Sequence, residues 1–294
     1  MRRAITIIMK NLFLTILLAL SVAALTGCDP DQFEKDKTSG LKSYERVTVN
    51  GRSVNYKEVY TPKWGIDDRL SSMVQEQYEA LAEDKSSDNA ELTLVRKVTA
   101  TYKWNNGGWA LEESEKHEAY DKETGTWQSF DPIVYTYVCD DTWTVRESES
   151  IWSPEPEKYE YEDGYIVKII NNNSEIEFIW KNGDLVKVID GTANVKEITY
   201  TAEENPFMDG LDPLCGPFVD NAFMIGLAGK RPAHLPDVVS NTWGEGERQI
   251  SGSYKYQYKK DAKGRIIEAT HVSCDPQTGK IVDDGYRQTL TFNY

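Results

Sequence analysis

The side chains able to do acid–base or metal chemistry are scattered along this sequence. His117, His234 and His271 lie far apart, without the paired spacing of a metal site or a neighbouring nucleophile motif. We therefore expect these histidines at surface or loop positions. Pairs of adjacent aspartates occur at Asp67-Asp68, Asp140-Asp141 and Asp283-Asp284. Two carboxyl groups that face each other across a glycosidic bond can hydrolyse it. Among 48 acidic residues such pairs arise by chance, and turn or cap positions are favoured for them. No glycine-rich nucleotide loop follows a strand. The sequence predicts no catalytic residues, no metal and no cofactor.

Aromatic side chains are the remaining chemical resource, with eight tryptophans and seventeen tyrosines. Aromatic faces beside Asn and Asp are used to bind sugars, but antiparallel sheets also use aromatic pairs to pack themselves. Six tryptophans beside predicted turns are candidates for exposure: Trp104, Trp109, Trp127, Trp143, Trp152 and Trp243. Of these, Trp104, Trp109, Trp127 and Trp243 are the candidate ligand-binding residues. Trp104 and Trp109 bracket one tight turn and are the first choice.

The cysteine at position 28 directly follows an apolar run. Residues 11–25 are apolar but too few to span a membrane comfortably, which is typical of a signal peptide. Residues 25–28, Leu-Thr-Gly-Cys, resemble the lipobox of bacterial lipoproteins. That resemblance implies cleavage between Gly27 and Cys28, acylation of Cys28 and attachment to a membrane through the lipid. The alternative is an ordinary secretory signal followed by a chance cysteine, and Met1 or Met9 could be the start.

Residues 28–41 are polar and lack periodicity, so they are predicted to form a flexible tether after the signal peptide of residues 1–27. Acidic residues close behind Cys28 resemble the surface-export signals of some gut anaerobes, although Asp at this place in enteric bacteria resembles a retention signal for the inner membrane. We expect attachment to the outer membrane, facing the cell surface, with the periplasmic face as the alternative.

Charge excludes one class of partner. The formal net charge is −15, and removing Arg2, Arg3 and Lys10 with the signal leaves 30 basic against 48 acidic side chains, or −18. Such a surface repels nucleic acid. The other cysteines, Cys139, Cys215 and Cys274, allow at most one disulfide and leave one thiol over.

From about residue 91 the sequence alternates in the manner of half-buried strands separated by Gly, Asn and Asp turns. An aromatic strand, a glycine turn and an aliphatic strand recur at residues 159–170, 176–189 and 254–267. This repetition predicts a single all-β domain over residues 42–294, an antiparallel meander that forms an open or partly closed barrel-like sheet.

Two stretches depart from the strand pattern. Residues 67–83 carry Leu70, Met73, Val74, Tyr78 and Leu81 at helical spacing, which predicts an amphipathic helix. Residues 205–229 are apolar and rich in Gly and Pro, and they predict a short helix over 217–227 within a long loop.

A transmembrane barrel would need strands of about nine to eleven residues with an uncharged lipid-facing side. Many of the predicted strands are shorter, and residues 112–118 and 146–150 are highly charged. A water-soluble barrel held by its lipid is therefore favoured.

The lipobox, the repeated Tyr-x-Tyr and Gly-Arg-Ile hairpins and the apolar insert ending at residues 229–236 together carry a family resemblance. The chain resembles a family of bacterial lipoproteins of unknown function from gut anaerobes, described as having a porin-like β fold. The resemblance covers most of residues 90–294 and implies the fold rather than an activity.

The function predicted is that of a membrane-anchored envelope lipoprotein, a non-enzymatic binding or structural surface module for glycans. One alternative is a glycan hydrolase with an unrecognised carboxylate pair. Another is a scaffold for a second envelope protein, which would expose an apolar patch at residues 214–227.

Overall fold

The computed structural model describes residues 41–50, 53–65, 69–80, 92–151, 155–171, 174–191, 194–207, 214, 225–244 and 250–294. These residues contain seventeen β-strands. The strands are β1 Ser43–Asn50, β2 Ser53–Trp64, β3 Leu70–Ala80, β4 Leu92–Asn105, β5 Ala110–Asp121, β6 Thr126–Ser129, β7 Ile133–Cys139, β8 Val145–Ser150, β9 Glu157–Glu162, β10 Tyr165–Ile170, β11 Glu175–Lys181, β12 Asp184–Asp190, β13 Asn194–Glu204, β14 His234–Trp243, β15 Ile250–Lys260, β16 Ile266–Ser273 and β17 Arg287–Asn293. Residues 40–294 form one compact unit.

The sheet closes into a barrel. Each strand pairs antiparallel with its sequence neighbour, except that β5 pairs with β7 as well as with the short β6. Strand β1 pairs with β2 on one side and with β17 on the other, from Ser43 opposite Asn293 to Val49 opposite Arg287. Leaving out β6, which pairs only with β5, sixteen of the seventeen strands form the ring. The prediction of an all-β antiparallel meander is confirmed. The expectation of an open or partly closed sheet is wrong, because the first and last strands hydrogen-bond to each other.

Tight turns join the strands where the sequence places Asn-Gly and Asp-Gly. Asp163 and Gly164 have φ values of 50° and 81°, and Asn182 and Gly183 have φ values of 54° and 87°. Positive φ at both central residues matches the twist of antiparallel strands. The predicted hairpins at these turns are confirmed.

The predicted amphipathic helix at residues 67–83 is wrong where the chain is described, because residues 70–80 form strand β3. This strand pairs with β2 along one edge and with β4 along the other. Its inward residues include Gln75 and Gln77, so the polar positions that mimicked one side of a helix instead face the barrel interior. Hydrophobic spacing alone could not reveal a strand whose buried face is polar.

Alternation along the strands divides an inner from an outer face. Tyr44, Arg46 and Thr48 of β1 point inward with buried Leu290 and Phe292 of β17, which stand opposite them in the register. The hydrophobic core inside the ring includes Leu111, Ile166, Leu185 and Leu235, each almost fully buried. A ring of sixteen strands is wider than side chains alone normally fill.

The described residues of the insert between β13 and β14 include several that are buried at one end of the barrel. Phe207 packs on Phe292 of β17 with ring centroids 5.4 Å apart, and Leu227 accepts a hydrogen bond from the backbone N–H of Val145 at the start of β8. Counting round the ring, β17 and β8 are seven strands apart, so the described parts of the insert contact nearly opposite walls. We call this the insert end and the opposite one the far end. The chain enters β1 at the insert end.

A close backbone contact fixes one part of the insert. Gly229 has a φ of 75°, and a Cβ at this position would lie 2.5 Å from the carbonyl oxygen of Gly164. Lys230 donates its backbone N–H to that same carbonyl at 2.8 Å. Only glycine fits this approach between insert and turn.

The second predicted helix, residues 217–227, lies largely outside the described residues, and its described part, residues 225–227, contains a turn. The apolar patch expected at residues 214–227 is not exposed where it is described, because Leu214, Ile225 and Leu227 are buried in the core. A barrel this wide needs apolar filling, and these described residues of the insert supply part of it. Within the described chain, no helix is long and apolar enough to cross a membrane.

Candidate functional site

The structure does not bring the four candidate tryptophans together. Trp104 and Trp109 lie at the insert end, Trp127 lies on β6, and Trp243 ends β14 at the far end. Trp109, Trp127 and Trp243 are exposed at 37%, 45% and 42% of their surface. Trp104 is partly buried, and its indole N–H donates to the carbonyl oxygen of Leu70 at 2.8 Å.

At the insert end, tryptophan rings surround an arginine of the same chain. The ring centroid of Trp143 lies 5.0 Å from that of Trp104 and 5.3 Å from that of Trp109, both edge to face. The guanidinium of Arg69 lies 4.3 Å from the centroid of Trp143 and 5.2 Å from that of Trp104. It also donates to the side-chain oxygen of Asn106 at 2.8 Å. Because Arg69 already occupies the aromatic faces, this cluster stabilises the turns and is a poor site for a ligand.

The far end carries a pocket lined by a tryptophan, two amides and two charged groups. Its volume is about 170 Å³. Its described lining residues are Ile176, Val188, Asp190, Asn194, Val195, Lys196, Asn241 and Trp243. Small polar groups around an aromatic ring in a concavity are the usual elements of a small-molecule site.

Strand register explains how this pocket forms from four strands. Ile176 of β11 stands opposite Asp190 of β12, which stands opposite Asn194 of β13. Two residues further from the far end, Val188 stands opposite Lys196, which stands opposite Asn241 of β14. Residues in register share a face, so both rows line the inside of the barrel. The next residue in the second row is Gly252, and the ring of Trp243 lies 3.7 Å from where its Cβ would be. Gly252 therefore lies beside the indole.

Burial changes the pKa of the lysine in the pocket. The pKa of Lys196 is lowered to about 8, because burial removes water from its ammonium group. At neutral pH the group still carries its charge. Asp190 belongs to the row nearer the far end, so the pocket presents a carboxylate outside and an ammonium further in.

Further inside, polar side chains form a network that the sequence reading missed. Arg46 Nη1 lies 3.2 Å from Glu58 Oε2, and Gln75 Nε2 donates to Glu58 Oε1 at 2.9 Å and to the hydroxyl of Tyr60 at 3.1 Å. All four residues point inward from β1, β2 and β3. The sequence carried one signal of this network. Side chains of a strand alternate between its two faces, so Arg46 and Glu58 share a face with the other inward residues of β1 and β2.

Of the three histidines, His271 contradicts the expectation of a surface or loop position. It lies on β16, is 9% exposed, and is surrounded by the rings of Tyr254, Tyr256 and Tyr286 at centroid distances of 5.3, 5.3 and 5.9 Å. The wide barrel places this strand position inside, where tyrosines rather than aliphatic residues surround it. His117 lies on β5 with its Nε2 3.0 Å from Glu115, and His234 begins β14 with its Nδ1 2.9 Å from Asp184.

The remaining candidates fall into turns, a buried wall and undescribed segments. Asp140 accepts backbone N–H groups of Thr142 and Thr144 at the β7–β8 turn, as expected of a turn aspartate. Cys139 and Cys274 are buried thiols without a disulfide. Asp67-Asp68, Trp152, Cys28, Gly27 and Cys215 lie outside the described residues. No group of three or more His, Cys, Asp or Glu side chains able to hold a metal occurs in the described part of the chain.

No protein-family model and no curated protein matches the sequence. Among solved structures, the fold is similar to that of a porin-like protein from Bacteroides uniformis, with 14% identity, a TM-score of 0.58, and coverage of 86% of this chain and 97% of that one. A porin-like protein from Bacteroides vulgatus matches with 10% identity and a TM-score of 0.26 over 82% of this chain and 83% of that one, too loosely to support an argument. The chain therefore has the porin-like β fold that the family resemblance implied, a fold also found in a Bacteroides protein.

Proposed function

We propose that this protein is a lipid-anchored module of the bacterial envelope that binds saccharides in the far-end pocket. One observation carries the proposal: the exposed ring of Trp243 stands beside Asn194, Asn241, Asp190 and Lys196. A sugar presents C–H groups on one ring face and hydroxyls at its edge, which suit an indole face and a set of amide and charged groups. The pocket lies at the far end of the barrel, opposite the end at which Ser43 begins β1.

Charged residues on the outer face of the barrel support the proposal that this face is exposed to water. Lysine and acidic residues face each other across neighbouring strands, as in Lys187–Glu197 at 3.2 Å and Lys259–Glu268 at 2.7 Å. Outward-facing charges in the middle of a membrane barrel are destabilising by about 2 to 4 kcal/mol for Lys. The lipobox at residues 25–28 supports attachment through acylated Cys28 rather than through the wall.

The protein lacking the signal and Cys28, residues 29–294, is expected to be soluble and folded without detergent, because its outer wall is charged. Size-exclusion chromatography with light scattering, together with circular dichroism, measures this. Material that folds only in detergent micelles would contradict the water-facing wall.

Removing the Trp243 ring is expected to weaken saccharide binding at least about tenfold, since aromatic anchors commonly supply much of a binding free energy. Binding is measured by tryptophan fluorescence and calorimetry, with a panel of polysaccharides and mucin glycans, on Trp243→Ala. Trp127→Ala is the matched control, because Trp127 is equally exposed but lies on β6 and does not line the pocket. If no member of the panel binds the folded protein, or if Trp127→Ala is the variant that loses binding, the site is assigned wrongly.

A further inference from the structure

The far-end pocket has two rows that differ in charge. The outer row contains Asp190 and Asn194, and Trp243 stands beside it; the inner row contains Lys196 and Asn241. Successive inward residues of a strand are about 6.6 Å apart, twice the rise per residue. A ligand the size of one sugar ring can therefore meet both rows at once.

The ammonium of Lys196 is the cation among the described residues that line this pocket. The chain has a formal net charge of −15, so its general field repels anions. Lys196 therefore offers an anionic group a point of attraction in the inner row, while Asp190 keeps the outer row negative. A ligand carboxylate placed against this ammonium would form a charge-assisted hydrogen bond with it.

Resting on the proposed function, we infer that the pocket is selective for acidic sugars, with the ligand carboxylate on Lys196 Nζ. Its hydroxyls are received by Asp190, Asn194 and Asn241, and its ring face lies on the indole of Trp243. The chemical class is a uronic or sialic acid, either free or as the end residue of a longer glycan. Asp190 adds specificity, since its carboxylate accepts hydroxyl donors and repels a ligand that enters with its acid group in the outer row.

The test compares glucuronic acid with glucose, which differ by a carboxylate in place of a hydroxymethyl group. Calorimetry at pH 7 is expected to give about tenfold tighter binding of glucuronic acid, the order expected of one charge-assisted hydrogen bond. Lys196→Gln should bring the two affinities together, and Lys196→Arg should keep the preference. Lys187→Gln is the matched control, because Lys187 lies on the neighbouring strand but faces outward to Glu197. Binding of N-acetylneuraminic acid tests whether the acid is a sialic acid rather than a uronic acid. Binding of a glucuronic-acid-terminated oligosaccharide tests whether the acid is bound at the end of a longer glycan.

The outcomes separate the two proposals. Equal binding of glucose and glucuronic acid, still lost in Trp243→Ala, would overturn the acid preference and leave the saccharide site standing. An acid preference that persists in Lys196→Gln would also overturn it. Failure of every sugar to bind would overturn the proposed function itself. Near-ultraviolet circular dichroism of each variant shows whether it has folded.

The pH dependence provides a second readout. Burial lowers the pKa of Lys196 to about 8 in the empty pocket, and a bound carboxylate would raise it. Affinity for glucuronic acid should therefore be constant below pH 8 and fall by up to about tenfold per unit above it, until the bound-state pKa is reached. Affinity for glucose should stay flat. A flat profile for glucuronic acid from pH 7 to 10 would contradict a role for the ammonium.

Discussion

Arg46→Met is expected to lower the free energy of unfolding by about 3 to 5 kcal/mol, the cost of leaving a buried partner charge uncompensated. Arg46 Nη1 lies 3.2 Å from Glu58 Oε2 inside the barrel, and Glu58 is 8% exposed. The guanidinium also lies 5.6 Å from the ring centroid of Tyr60. Without the guanidinium, the Glu58 carboxylate keeps a neutral donor from this network, the side-chain amide of Gln75. Equilibrium unfolding in urea at pH 7 measures the loss.

The same two strands supply the control. Lys57 and Glu45 form an ion pair at 2.9 Å on the outer face of β1 and β2, with about a third of each side chain exposed. Lys57→Met should cost less than about 1 kcal/mol, as exposed pairs do. The double variant Arg46→Met with Glu58→Met should recover most of the loss, because no buried charge remains. Equal costs for Arg46→Met and Lys57→Met would show that the inner pair is solvated like the outer one.

Lowering the pH from 6.5 to 4 is expected to remove roughly 3 kcal/mol of stability through His271 alone. Burial, and secondarily the charge of Arg46, lower the pKa of His271 to about 4. The unfolded chain binds this proton near pH 6.5, whereas the folded chain does not bind it until about pH 4. The contribution is therefore fully present above pH 6.5 and is lost as the pH falls towards 4.

Comparison with His271→Phe isolates this contribution from the carboxylates that titrate in the same range. Phenylalanine keeps a ring among Tyr254, Tyr256 and Tyr286 but cannot bind a proton. Urea unfolding of both proteins at pH 7 and pH 4.5 should show a smaller loss in the variant. An equal loss in wild type and His271→Phe would place the titrating groups elsewhere.

Local pattern was sufficient for most strands and turns. Asp163-Gly164 and Asn182-Gly183 adopt the positive φ values that hairpin turns require, so two residues specify each reversal. For strand β3 the local pattern predicted a helix, which was wrong. Its inward Gln75 contacts Glu58 and Tyr60 on β2, and those partners make a polar strand face stable only when the barrel exists.

The candidate site, too, was predictable from the sequence only in part. The exposure of Trp243 was predictable from its place beside a turn, and it is 42% exposed. Its partnership with Lys196 and Asp190 was not predictable, because they lie about 50 residues earlier on β12 and β13. The first choice, Trp104 with Trp109, had the right spacing, but Arg69 and Trp143 from other turns occupy the faces of that cluster.

By itself the sequence determined the all-β class, the hairpin turns, the acidic charge and a lipobox-like Cys28, since each depends on residue type within a few positions. Only the tertiary structure decided that the sheet closes, because β1 pairs with β17 across some 240 residues of chain. It also decided that described residues of the apolar insert belong to the core of the barrel, where Phe207 packs on Phe292. Both are long-range contacts, which are chosen by the sum of packing and hydrogen bonding over the whole ring and leave no local pattern in the sequence.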